Sequence, residues 1–200
     1  MKLFQNLFKP KWKNKDPEIR KTGLLELDPA ADQAVFLEIV NHDDVSDLRL
    51  LAVKRINDVK ALERIAENNS DTRVKEQAYK MLCQAYAGNN TELLTTDKVT
   101  DLLSQLENQK LLEYVAQNGA NKNIRAIAID KVSRDALLGN LACQEKDPSL
   151  RKVAAEKIQQ KSTLERVFKR TKTKDKVISG LVKARLDEII KAEEEPKKRL

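Results

Sequence analysis

The feature that most constrains this chain is an internal repeat with a period of about 26 residues. A short pattern recurs five times: in most copies an Asp or Asn precedes an aliphatic residue, a base and, three places later, a small residue. The bases of the five copies are Arg20, Arg49, Lys75, Arg125 and Arg151. They are separated by 29, 26, 50 and 26 residues, and 50 is close to two periods. Such repeats are typical of stacked units, because one unit cannot bury its own apolar face.

A second column, of large apolar residues, has matching spacings of 26, 50, 26 and 26 residues. Its members are Phe36, Leu62, Leu112, Leu138 and Leu164. We therefore expect each unit to contain a longer helix that begins at an Asp or Asn N-cap, followed by a shorter helix such as 61–68. In the longer helix, the aliphatic residue before the base and the small residue after it lie on one buried face.

The predicted fold is all-α, an α-solenoid of stacked helical hairpins. Only five Gly and five Pro occur in 200 residues, which argues against a β architecture with many turns. The solenoid is predicted over 16–191, with a basic amphipathic capping segment at 1–15 and a charged linker at 192–200. Because Leu3, Phe4, Leu7 and Phe8 share one helical face, the first segment could instead bind a membrane interface or a partner groove. Capping of the first repeat is the favoured interpretation.

Two parts of the repeat are irregular. Near 87–97 the pattern calls for an aliphatic residue and then a base, but Gly88 and Thr100 stand at these positions. This predicts an irregular joint, with a loop that begins at Ala87. The C-terminal unit, with Val177 and Leu186 in its apolar stripe, shows no clear N-cap motif.

The pattern Asp-x-x-aliphatic-Arg-x-x-Ala is similar to HEAT-like and leucine-rich-variant helical repeats, and a period of 26 is nearer to the variant. The stretch 7–12, which leads into Asp16, Pro17 and Arg20, also resembles the N-terminal region of a family of long bacterial proteins of unknown function. Members of that family continue into charged coiled-coil modules, which this chain lacks. The resemblance implies a HEAT-like solenoid that is an N-terminal domain or fragment, and it implies no activity.

The net charge of +7 is concentrated at the two ends. Residues 1–15 carry five Lys and no acid, 161–200 carry a net +6, and 16–160 carry a net −4. A mildly acidic repeat region favours a protein partner over a nucleic acid. The column of five bases could follow a nucleic-acid backbone, but its fixed place near each helix start favours an internal ladder that links adjacent repeats.

The predicted function is a non-enzymatic scaffold that binds a macromolecule, with a protein as the favoured partner. The candidate partner-binding residues are exposed positions of mixed charge on the longer helices: Lys54, Glu76, Lys80, Asp130, Lys152 and Glu156. The alternative is a nucleic-acid-binding module that uses both basic ends. Its candidate residues are Lys9, Lys11, Trp12, Lys13, Arg166, Lys169, Arg170, Lys172, Lys174 and Lys176.

Residues for catalysis are scarce. His42 is the only histidine and the five glycines are scattered, so no catalytic residue, metal site, cofactor or small-molecule substrate is predicted. A HEAT-like DNA glycosylase is a remote third hypothesis, because such enzymes need only aromatic residues and an Asp, and Trp12 is the sole Trp. Cys83 and Cys143 lie among apolar helical residues and are expected to be buried, reduced thiols. No membrane span or signal peptide is evident, so a cytoplasmic protein is predicted.

Overall fold

The computed structural model describes residues 9–194, which contain twelve α-helices, a short 3-10 helix at Lys11–Lys13 and no β-strand. The α-helices are α1 (Pro17–Glu26), α2 (Gln33–His42), α3 (Ser46–Val53), α4 (Val59–Asn68), α5 (Thr72–Tyr86), α6 (Thr96–Gln105), α7 (Gln109–Asn118), α8 (Lys122–Lys131), α9 (Asp135–Gln144), α10 (Pro148–Lys157), α11 (Lys161–Thr171) and α12 (Lys176–Glu194). The all-α prediction is confirmed. Residues 1–8 of the predicted capping segment and 195–200 of the predicted linker lie outside the described residues.

Side-chain caps fix the starts of several helices. The Asp16 carboxylate accepts a hydrogen bond from the backbone N–H of Glu18 at 2.9 Å, and the Asp147 carboxylate accepts one from that of Ser149 at 2.8 Å. Both helices have Pro in their first turn, where the missing N–H costs no helical bond. The C-terminal unit is capped although its sequence shows no clear cap motif, because Asp175 accepts from the N–H of Ile178 at 3.1 Å and so caps α12.

The two helices of a repeat do not differ in length as predicted. Helices α7, α8, α9 and α10 each contain ten residues. The caps and the three- or four-residue connections set both ends of each helix, so neither helix of a pair can extend. The irregular segment differs from this pattern: α5 contains 15 residues, and no second helix of that repeat lies between α5 and α6.

The two sequence columns form the core. Phe36, Leu62, Leu112, Leu138 and Leu164 are all buried. The small residues Ala52, Ala78, Ala128 and Ala154 are completely buried as well. Each large side chain removed from water contributes about 1.5–3 kcal/mol. One predicted core position is not buried: Ile19 is 40% exposed, and no described α-helix precedes α1 to cover it.

The chain divides into two compact units. Unit 1 comprises 1–85 and 90–95, and unit 2 comprises 86–89 and 96–200. The division falls at the loop between α5 and α6, where Gly88 has a φ of +74°, a left-handed conformation that favours glycine. Within unit 2, the N–H of Ala120 donates to the carbonyl of Ala87 at 2.7 Å.

Helix packing follows chain order within each unit. In unit 1, α3 packs against α2 and α1. In unit 2, α7 packs on α8, α9 on α10 and α11 on α12, while α8 also contacts α6 and α10, α10 contacts α12, and α9 contacts α11. In unit 2, helices therefore pack in consecutive pairs, and most also contact the helix two places along the chain. Over the described part of the chain, none of the helices combines the length and the apolar character that a membrane crossing requires.

The segment 9–15 is attached to unit 1. A Cβ built on Gly23 would lie 2.4 Å from the backbone nitrogen of Trp12, so only glycine allows the 3-10 helix this close to α1. Lys11 pairs with Glu26 at 2.5 Å and Lys13 with Glu38 at 3.2 Å.

Candidate functional site

The arginine column is an internal ladder. In unit 2, Nη2 of Arg125 donates to the Glu145 carboxylate at 2.9 Å, and Nη1 donates to the Gly119 carbonyl at 3.1 Å. Arg151 repeats this arrangement: Nε donates to the Asp175 carboxylate at 3.0 Å and Nη1 to the Glu145 carbonyl at 2.9 Å. Each guanidinium thus satisfies a carbonyl six residues before it and binds a carboxylate in the next repeat.

Unit 1 contains the same ladder. Nε and Nη2 of Arg20 donate to Asp43 at 2.9 and 3.0 Å, and Arg49 donates to Asp71 at 2.6 Å. Arg49 also donates to the Asp43 carbonyl, again six residues back. The predicted internal ladder is therefore confirmed at four of its five positions. At the fifth position, the side chain of Lys75 makes no hydrogen bond or ion pair with another described residue.

The ladder carboxylates are held in their charged form. The Ser46 hydroxyl and the Arg49 guanidinium lower the pKa of Asp71 to about 2. Burial by itself would raise the pKa of Glu145, but hydrogen bonds from Arg125 and from the backbone outweigh it, so the pKa is lowered. The pKa of Asp43 is lowered in the same way, against its burial, by Arg20. For Asp175, the backbone N–H of Ile178 lowers the pKa most, and Arg151 adds to the effect.

A second ladder, which the sequence analysis missed, connects the loops. The side chain of Gln33 donates to the Arg55 carbonyl at 2.9 Å and accepts from the Asn57 N–H at 3.0 Å. Gln109 makes the same two bonds to Lys131 and Ser133, at 3.1 and 3.2 Å. Asp135 accepts from the N–H groups of Gln159, at 2.8 Å, and Gln160. These three residues stand at the same repeat position, but the change from Gln to Asp hides the column in the sequence.

A cleft of about 540 Å³ lies in unit 2 between the end of α7 and α9, and it is here called the unit 2 cleft. Leu141 contributes to its floor and is buried, whereas Gln117, Asn140 and Gln144 are exposed at its walls. Unit 1 has a cleft of about 440 Å³ between α2 and α4, the unit 1 cleft.

The two clefts occupy the same place in the repeat. Adding 76 to the numbers of the unit 1 residues gives their unit 2 counterparts. In this way Asn41, Arg64, Ile65 and Asn68 correspond to Gln117, Asn140, Leu141 and Gln144. The recurrence shows that the two clefts occupy equivalent positions in two copies of the sequence repeat, so they do not arise from a local irregularity.

Both clefts present polar side chains over an apolar floor. Among the described residues, Asn41, Arg64, Asn68 and Gln144 form no hydrogen bond or ion pair with the protein. A side-chain amide offers two N–H donors and a carbonyl acceptor, so these walls can both donate to and accept from a ligand. Clefts with an apolar floor and a few polar groups are typical of binding sites.

A basic rim borders the unit 2 cleft. It consists of Arg166, Lys169 and Arg170, which are exposed on α11. Arg170 donates to the side-chain carbonyl of Asn140 at 3.3 Å, and Arg166 donates to the backbone carbonyl of Ala136 at 3.3 Å. The rim therefore lies against α9, beside a cleft wall.

The residues predicted to bind a partner lie elsewhere. All six are exposed: Lys54, Glu76 and Lys80 in unit 1, and Asp130, Lys152 and Glu156 in unit 2. None of them lines either cleft. In unit 2, Lys152 pairs with Glu156 at 3.7 Å and Asp130 with Lys157 at 3.8 Å, so these charges are partly neutralised within the protein.

The residues of the nucleic-acid alternative are split between the two units. Lys9, Lys11, Trp12 and Lys13 belong to unit 1, where Lys13 lies 4.4 Å above the Trp12 ring. The other six belong to unit 2 and are exposed: Arg166, Lys169, Arg170, Lys172, Lys174 and Lys176.

The two cysteines are free thiols in different surroundings. Cys83 is buried as predicted, whereas Cys143 is half-buried because it lies on the side of α9 near Arg166 and Arg170. Burial raises the pKa of both thiols. In residues 9–194, no group of three or more His, Cys, Asp and Glu side chains is placed to hold a metal ion.

Comparison with protein-family models, with curated proteins and with solved structures found no match for this chain.

Proposed function

We propose that this chain is a non-enzymatic, cytoplasmic α-solenoid scaffold that binds an extended segment of a protein partner along its second helices. The recurrence of one cleft at the same repeat position in both units carries this proposal. In a solenoid, successive repeats present equivalent side chains at regular intervals, which suits a ligand that is itself a regular polymer.

The cleft walls fit a peptide backbone. Every residue of an extended peptide offers one N–H donor and one carbonyl acceptor, and an amide side chain can bind both. Gln117, Asn140 and Gln144 supply such amides in unit 2, and Asn41 and Asn68 supply them in unit 1. An apolar residue of the partner could bury itself against Leu141 or Ile65, which form the floors.

The similarity to HEAT-like repeats and to the bacterial family is part of the same proposal. Both ladders support the HEAT-like arrangement, since their bonds join residues 20 to 25 positions apart, which is close to one period. The six mixed-charge residues on the first helices form an alternative binding surface, which has less support because none of them lines either cleft.

Site-specific photocrosslinking tests the proposal. A benzophenone amino acid replaces Gln117 or Gln144 in the full chain, and in a matched variant it replaces Lys152 on α10 of the same unit. After irradiation in a lysate of the source organism, we expect protein adducts from the cleft positions and not from position 152. Adducts from 152 alone, or adducts that nuclease removes, would contradict the proposal.

Nucleic-acid binding is the second candidate, and the exposed basic stretch 166–176 favours it. Phosphate contacts release counterions, so such binding weakens steeply as salt rises. Titration of the full chain with single- and double-stranded oligonucleotides at two salt concentrations measures this. A steep salt dependence that disappears in an R166Q/R170Q variant would favour the second candidate over the first.

A further inference from the structure

We infer, on the basis of the proposed function, that the bound segment is acidic, with Asp or Glu side chains that contact the basic rim beside the unit 2 cleft. The chemical class of the partner is thus a peptide with carboxylates next to a backbone that the cleft amides bind. This adds a charge requirement that the clefts alone do not impose.

The rim arginines lack the carboxylate partners that the ladder arginines have. Each ladder arginine binds a carboxylate, and even the exposed Arg134 pairs with Glu113 at 2.6 Å. Within residues 9–194, no carboxylate pairs with Arg166, Lys169 or Arg170. Their protein contacts are neutral acceptors, the Ala136 carbonyl and the Asn140 side chain. The protein therefore leaves these three charges unneutralised.

The rim charges also repel one another. Arg166 and Arg170 are four residues apart on α11, so they lie on the same face one turn apart, and Lys169 adjoins them. Like charges at this spacing destabilise a helix slightly, and an anionic ligand would reverse the effect. Guanidinium groups bind carboxylates through two parallel hydrogen bonds, which gives such a contact direction as well as strength.

The positive surface continues beyond α11. Arg151 donates to the carbonyls of Glu145 and Lys146 and to the Asp175 carboxylate, so it joins one end of the cleft to the turn after α11. That turn carries exposed Lys172 and Lys174. An extended segment could therefore pass from the cleft to the turn and meet positive charge along the way.

The cleft favours a peptide over a nucleic acid. Proteins that bind single strands stack bases on aromatic side chains, and the lining of the unit 2 cleft contains no aromatic residue. Amides and an apolar floor instead match a peptide backbone and an apolar side chain.

Peptide selection tests the inference with the full chain. A displayed library of random peptides is selected against the wild-type protein, and the selected peptides are compared with the starting library for Asp and Glu content. Their affinities are then measured for R166Q/R170Q and for K152Q/K183Q, a control that also removes two positive charges from unit 2, away from the rim. Circular dichroism confirms that both variants keep the helical content of the wild type.

We expect enrichment of Asp and Glu, and binding that is about tenfold weaker in R166Q/R170Q and unchanged in K152Q/K183Q. Peptides that bind without acidic enrichment, or equally well to both variants, would overturn the inference but leave the proposed peptide-binding function intact. A library that yields no binder would contradict both. An oligonucleotide that binds at the rim more tightly than any selected peptide would overturn the inference in favour of a nucleic-acid interface.

Discussion

Units 1 and 2 share one construction but differ in the charge around their clefts. Both contain the arginine ladder, the loop ladder and a cleft at the same repeat position. The unit 1 cleft is lined by a single base, Arg64. The unit 2 cleft has Asn140 at that position, is lined by Arg125 and Lys146, and is bordered by the three bases of the basic rim on α11. The two ladders, which the units share, are therefore structural. The charge around the clefts, which differs, is the feature suited to select one ligand over another.

Lys75 differs from the other four ladder residues. It occupies the ladder position on α5, the helix at which the chain divides, and its side chain has no hydrogen-bond or ion-pair partner among the described residues. The ladder is thus continuous through Arg20 and Arg49 in unit 1 and through Arg125 and Arg151 in unit 2, and it is interrupted between them.

The largest expected effect comes from truncating a ladder arginine. R20A and R125A should each lower the free energy of unfolding by about 3 kcal/mol, because Asp43 or Glu145 would stay buried without its partner. Urea denaturation followed by circular dichroism measures the loss. K75A is the matched control and should change stability by less than about 0.5 kcal/mol. If K75A lowers the free energy of unfolding as much as R125A does, then Lys75 takes part in the ladder, which would contradict the structure.

A somewhat smaller effect is expected from the loop ladder. D135A should cost about 2 kcal/mol, because two backbone N–H groups lose their acceptor and Asp135 is only 7% exposed. Q33A, its unit 1 counterpart, should cost about 1 kcal/mol, since it is less buried and uncharged. D135N keeps an acceptor and serves as the control in the same denaturation series. Equal losses for D135A and D135N would show that the hydrogen bonds to the loop contribute little.

Two glycines should respond in opposite directions. G23A should destabilise unit 1 by about 1–3 kcal/mol, because the new methyl group would lie 2.4 Å from the Trp12 backbone and displace the 3-10 helix. G180A in α12 meets no atom within 4 Å and should stabilise unit 2 by about 1 kcal/mol. Melting temperatures of the two variants check the signs. A stable G23A variant would mean that segment 9–15 is not held against α1.

The smallest effect is a pH dependence of the arginine ladder in both units. Asp43, Asp71, Glu145 and Asp175 have lowered pKa values in the folded chain, so their contribution is complete above their unfolded pKa values of about 4. The contribution of Asp71 is lost as the pH falls from about 4 towards its folded pKa of about 2. Melting temperatures should therefore fall between pH 5 and pH 2.5, and D71N should weaken the dependence. A melting temperature that stays constant over this range would contradict the predicted linkage.

The sequence predicted the core better than the surfaces. The columns that begin at Phe36 and Ala52 are buried because periodic apolar residues have only one face to fill. Helix lengths were predicted less well, because the short connections between α7, α8, α9 and α10 leave each of these helices ten residues. The cap of α12 was missed because Asp175 lacks the motif that marks Asp16 and Asp147.

The clefts could not be predicted from one repeat at a time. Asn140 lines a cleft only because α9 and the end of α7 face the same space, and its place in the pattern gives no sign of this arrangement. The candidate residues on the first helices were chosen for exposure and mixed charge, which many surface positions share. Arg166 and Arg170 were recognised as basic, but their position beside Asn140 depends on the packing of α11 against α9.

Hydrogen–deuterium exchange of the full chain, with and without a selected peptide, tests the central claim most directly. Peptide binding at the clefts should slow exchange in α7, α9 and α11 and leave α8 and α10 unchanged, because the amides that bind the peptide are on the second helices. Slower exchange confined to α8 and α10, where Asp130, Lys152 and Glu156 lie, would contradict the claim and place the binding surface on the first helices.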